Sequence, residues 1–134
     1  MSNRDHFITT LRGETLGEIN SQTSEEELFQ NQILRPILKL QNELFIEQFK
    51  NYIVKNKAQF SQFTVDKKLD YIENSILNDN KFRNLLIGTT IGLLQIEEYK
   101  LYSKNASALN KRTISMLIER LKSQVQLLDE LGNL

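Results

Sequence analysis

Residue types able to move protons, bind metals or attack bonds are sparse in this chain. There is no cysteine, which removes thiolate nucleophiles, thiolate metal sites and disulfides together. His6 is the single histidine and lies near the N-terminal end, where chains are usually poorly ordered. Di-metal sites in helical bundles take a Glu-x-x-His pair from each of two helices, so one histidine cannot build such a site. Carboxylates do recur at helical spacing, as Glu43 with Glu47 and as Asp66 with Asp70 and Glu73. Each set shares a helix face that could hold an oxygen-loving cation. Their Lys and Asn neighbours mark them instead as solvated faces, and neither a metal nor a cofactor is expected.

The best chemical candidates lie between residues 88 and 99. Gly88-Thr89-Thr90-Ile91-Gly92 sets two glycines four residues apart on one helical face. Together they forgo about 2 kcal/mol of helix propensity relative to alanine. Tight packing of another helix, or a ligand floored by the bare backbone, would offset that cost. Glu97-Glu98-Tyr99 follows directly, and a glutamate desolvated beside an apolar helix becomes basic enough for proton transfer. Acids in a first helical turn also simply complement the helix dipole. Gly88, Gly92, Glu98 and Tyr99 therefore define a candidate ligand pocket, with no residue assigned a catalytic role. Nucleophile elbows, phosphate-binding glycine loops, dinucleotide fingerprints and zinc-ligand spacings are all absent from the sequence. These absences lean away from an enzyme.

The elements that must position these residues read as helices throughout. Apolar residues make up 40% and charged residues 25% of the 134, an ordinary globular balance, while one proline and five glycines give little punctuation. No stretch keeps the strict alternation of a half-buried strand. Ser24-Glu25-Glu26-Glu27 carries a helix-start signature, with a capping hydroxyl followed by three acids at the positive dipole end. The helix it opens should run to about Asn56, broken or kinked near Arg35 by Pro36. Thr64 should cap a second helix, and Asn78-Asp79-Asn80 should end it and start a third. That third segment, from Lys81 to Leu94, is apolar around almost its whole circumference. A restart is expected at Gln95-Ile96-Glu97-Glu98, and a last helix after Asn105 or Ser107. The expected fold is all-α: a compact bundle of five or six helices over residues 24–134, with residues 81–94 as its central apolar helix. Residues 1–23 form a partly flexible arm with at most one short helix.

Charge and apolar surplus bear on partners. Formal charge is zero, which removes the attraction that nucleic-acid binders use, so none is expected. The distribution is uneven: five acids and no base between Glu14 and Glu27, and six bases against Glu119 alone from Tyr99 to Lys122. The acidic arm should therefore lie against the basic face of the last helix, within one subunit or across a dimer. Phe45, Ile46, Phe49, Tyr52 and Ile53 cover more of one helix than a single partner usually buries. Phe45, Phe49, Tyr52 and Ile53 are thus the expected homodimer interface. An unidentified protein partner is the alternative, and the pocket described above is the rival to either. No apolar run reaches the ~20 residues of a membrane span, and a cysteine-free chain suits the cytoplasm.

Several stretches carry a resemblance: Phe29-Gln30-Asn31-Gln32, Leu34-Arg35-Pro36-Ile37-Leu38-Lys39-Leu40-Gln41-Asn42, Tyr71-Ile72-Glu73-Asn74, Glu97-Glu98-Tyr99 and Ser107-Ala108-Leu109-Asn110-Lys111-Arg112. Together they resemble a family of short, uncharacterised all-helical bacterial proteins, some members of which bear the label glyoxalase. Glyoxalase-type lyases use paired βαβββ modules and a metal held by His, Glu and sometimes Gln from strands. With one histidine and no strand pattern, this sequence lacks the residues for that activity. The resemblance implies a helical fold and no reaction.

Overall fold

The structure, a computed structural model, describes residues 2–13 and 24–129. Among these residues the chain is all-α, with no strand. The helices are α1 (Asn3–Arg12), α2 (Glu25–Phe29), α3 (Arg35–Leu40), α4 (Asn42–Lys55), α5 (Val65–Asn78), α6 (Asn80–Ile91), α7 (Ile96–Lys104), α8 (Ala106–Ser123) and α9 (Val125–Leu128). Among the described residues no helix is long and apolar enough to cross a membrane.

Local chemistry starts most of these helices where the sequence says it should. Ser24 Oγ accepts the Glu27 amide at 3.1 Å, Thr64 Oγ1 accepts that of Lys67 at 3.2 Å, and Asp79 Oδ1 accepts that of Phe82 at 3.1 Å. Each satisfies one of the amides that a helix N-terminus leaves without an intrahelical partner. Helix α4 ends with the Lys57 and Ala58 amides folding back onto the Val54 and Ile53 carbonyls. This double closure needs a left-handed residue, and Lys57 supplies it at φ 53°.

Of the break or kink expected near Arg35, no separation occurs: the helix changes its winding just before Pro36 and continues. Residues Gln30–Leu34 form a π turn that joins α2 to α3, and Leu34 and Arg35 keep helical angles (φ −69° and −59°). Proline has no amide hydrogen to donate and crowds the preceding turn. Widening that turn to i→i+5 bonding accommodates both facts. The widening also serves the core. Phe29 and Leu34 are both buried, yet five residues along an unbroken α-helix would set them about 140° apart. The actual break comes at Gln41, where φ −90° and ψ 6° interrupt the helix before α4.

The chain groups into two units, Met1–Gln41 with Ile87–Thr113, and Asn42–Leu86 with Ile114–Leu134. In the first, Ile8, Phe29, Leu34, Ile37, Leu38, Leu94, Tyr102 and Leu109 are buried. The second buries Phe45, Phe49, Ile53, Phe60, Ile72, Ile76, Leu117 and Leu121 among others. Its aromatic side chains form a continuous set: Phe49 meets Tyr52, Tyr71 and Phe82 with ring centroids 5.7–6.1 Å apart, and Tyr71 goes on to Phe60 and Phe63 at 5.8 Å. Such offset and edge-on pairs add stabilisation beyond the area they bury. The predicted interface is therefore already occupied. Phe45, Phe49 and Ile53 are buried within the chain, and Tyr52 stacks on Phe82 at 4.1 Å. On α4 the Phe49 and Tyr52 rings are engaged by Tyr71 and Phe82, while Leu44 and Val54 of the same helix remain exposed.

The apolar segment at 81–94 is α6. Its Phe82, Leu86 and Thr90 are buried, while Leu85 is 50% exposed and Gly88 faces outward. The helix is thus one-sided, although its sequence is apolar nearly all round.

Candidate functional site

The densest polar constellation joins α1 to the turn between α6 and α7, within the first unit. Ser2 caps α1 by accepting the Asp5 amide. One helical face then carries Asp5, Thr9 and Arg12 at i, i+4 and i+7. Arg12 grips Glu98 with both terminal nitrogens, at 2.5 and 2.9 Å. The fork is well sheltered, the two side chains being 7% and 15% exposed. Gln95 caps α7 reciprocally with Glu98: Glu98 Oε1 accepts the Gln95 amide at 2.7 Å, and the Gln95 side chain accepts the Glu98 amide. The other end of the Gln95 side chain donates to Thr9, while Asp5 Oδ1 accepts the Ile96 amide at 3.1 Å.

Arginines complete the account on the opposite side of the turn. Arg4 donates to the Leu94 and Gly92 carbonyls at 2.7 and 2.8 Å, and Arg12 donates to that of Leu93 at 3.4 Å. The turn carbonyls just past the end of α6 thus receive guanidinium donors, and amides at the start of α7 receive carboxylate acceptors. Each sign suits the local end of the helix dipole. Hydrogen bonds to charged groups contribute about 1.5–3 kcal/mol each.

This geometry decides what the predicted pocket residues do. Glu98 points into the junction and its carboxylate is held by Arg12 and the Gln95 amide, so it is committed to joining helices. A Cβ placed on Gly88 would meet nothing within 4 Å, and one on Gly92 would meet only the Gly88 carbonyl, at 3.2 Å. Neither glycine admits another helix within the chain. Tyr99 is 49% exposed, with its ring 5.9 Å from that of Tyr102. Glu98 and Tyr99 are neighbours on α7. Sequence reasoning missed Arg4, Asp5 and Arg12 by treating their segment as an arm; the polar i, i+4, i+7 stripe was the available signal.

One contact of the expected kind, between the acidic arm and the last helix, forms inside the chain at Glu26. Arg112 on α8 lies 3.4 Å from the Glu26 carboxylate and donates to Gln30 Oε1 at 2.7 Å, while Asn105 donates to Glu26 at 2.9 Å. Glu14 and Glu18 lie outside the described residues. The carboxylate sets are dispersed: Glu47 pairs with Lys50 and Glu73 with Lys122. Among the described residues no three His, Asp or Glu side chains stand together to hold a metal ion. His6 is exposed beside Phe7.

A second polar cluster sits in the other unit. Tyr52 donates to Asp79 Oδ2 at 3.0 Å. Burial pushes the Tyr52 phenol up, and the neighbouring Asp79 carboxylate adds to the rise. Burial also raises Tyr71, against a hydrogen bond from Ser75 that lowers it. Both phenols are thus held in the protonated, donating form, which suits packing rather than nucleophilic attack.

No protein-family model, curated protein or solved structure matches the chain.

Proposed function

We propose that this protein acts by binding rather than by making or breaking bonds, as a cytoplasmic helical module that associates with a second copy of itself through the outer face of α1. One observation carries this reading: α1 turns a polar stripe and Ile8 inward and leaves its other two large apolar side chains outside. Asp5, Thr9 and Arg12 turn toward α7 and the turn before it, whereas Phe7 and Leu11, one helical turn apart, are 65% and 59% exposed. The neighbouring α7 adds Ile96, Tyr99 and Leu101, all exposed. Large apolar side chains gathered on two joined helices mark an association surface, and a self-complementary patch favours a symmetric pair.

The ligand alternative around Gly88, Gly92, Glu98 and Tyr99 has less support, because Glu98 is occupied and the glycines face open space. Sedimentation with multi-angle light scattering tests the proposal. The wild-type chain should dimerise by high micromolar concentration, and Phe7→Asp with Leu11→Asp should leave it folded and monomeric. A wild-type monomer across that range would overturn the proposal.

A further inference from the structure

We infer that α1 is a releasable clamp, which docks as a unit on the α6–α7 turn largely through charged and polar contacts and, when it lets go, frees the turn carbonyls and the first α7 amide that it holds. The inference stands whether or not the chain self-associates, since it concerns the inner face of α1. Ile8 is the one buried apolar side chain of this helix, and Phe7 and Leu11 face away from the junction. The apolar part of docking therefore comes from Ile8 on a helix that also lies against α3, and the rest of docking is polar. It draws on Arg4 at two carbonyls, on Arg12 at Glu98 and a third carbonyl, on Asp5 at the Ile96 amide and on Thr9 at Gln95.

Such attachment is directional. Each bond needs a specific register of α1 against the turn, so the contacts form or fail together, in contrast to an apolar face that can slide. Release would also be felt elsewhere: the Gly92 and Leu94 carbonyls and the Ile96 amide would pass to water, while the Gln95–Glu98 capping box stays within α7. Regions held by few apolar contacts are the ones that open below the global unfolding threshold. A partner gripping the outer face of docked α1 would, by linkage, also order the turn.

Native-state amide exchange on the full chain, followed by NMR across sub-denaturing urea, tests the inference. The α1 amides and the Ile96 amide should exchange through one shared opening with shallow urea dependence, while the α8 amides around Leu117 exchange only on global unfolding. Arg12→Gln should speed exchange of the α1 and Ile96 set by at least about tenfold and leave the Leu117 region within a few-fold of wild type. Two results would overturn the inference: α1 amides that exchange only with global unfolding, or an Ile96 amide that stays protected while α1 opens. If Arg12→Gln does not fold, the wild-type urea series decides between the same outcomes.

Discussion

Tyr52 and Asp79 are joined at 3.0 Å across 27 residues of sequence, and the junction of α5 and α6 depends on that pair. Asp79 uses one carboxylate oxygen to cap α6 at the Phe82 amide and the other to accept the Tyr52 hydroxyl. The Tyr52 ring then stacks on Phe82, the residue whose amide is capped. A helix start, an aromatic contact and a side-chain hydrogen bond thus hold one another in place.

Removing the hydroxyl by Tyr52→Phe should cost about 1 kcal/mol in urea unfolding, the usual net worth of one such bond. The ring stack should survive, so the NMR shifts of the Phe82 ring should stay close to wild type.

The pH dependence of this corner follows from Asp79, whose carboxyl is held below its ordinary value by the Phe82 amide first and the Tyr52 hydroxyl second. A group with a depressed folded value adds stability above its unfolded value, and that stability is lost as pH falls through the folded value. Asp79→Asn keeps an oxygen for the cap but loses the charge. Its deficit against wild type should be full above about pH 5 and should shrink steadily below about pH 4. A deficit independent of pH would show that the charge contributes nothing.

Lys57 holds a left-handed conformation at φ 53°, which costs a side-chain-bearing residue about 1 kcal/mol relative to glycine. Lys57→Gly should raise stability by about that amount, read from the thermal midpoint or from urea unfolding.

The two glycines should separate on substitution. Gly88→Ala adds a Cβ into open space within a helix and should stabilise by roughly 0.5–1 kcal/mol. Gly92→Ala brings its Cβ to 3.2 Å from the Gly88 carbonyl and should gain less, or lose. Equal gains in urea unfolding would contradict the packing described for Gly92.

What the sequence made legible was local. Ser24, Thr64 and Asp79 act on amides within three residues of themselves, so their letters sufficed to place three helix starts. Glu98 was readable as a first-turn acid for the same reason, but its partner Arg12 is 86 residues away, and nothing in the order of letters pairs them. Orientation was likewise hidden. Phe45 and Phe49 read as surplus surface until distant aromatic side chains enclosed the Phe49 ring, and the Gly88 and Gly92 spacing predicted close approach without revealing that their face of α6 points outward. The π turn went unread because helical periodicity assumes one residue spacing throughout.

That turn has a further consequence. Between Phe29 and Leu34 the chain carries, in effect, one residue more than an α-helix needs to keep its buried face in phase, an insertion absorbed without a loop. Shortening the segment by one residue, for example at Asn31, would return it to ordinary periodicity and leave Pro36 crowding a turn of normal width. The helical content would then change little, and Phe29 would stay on the face of Leu34 as an i, i+4 neighbour. Arg112 would keep Glu26 on its side, whereas the same deletion in a regular stretch of helix would turn everything before it by about 100°, so this one turn is where the chain can lose a residue without changing its charge pairing.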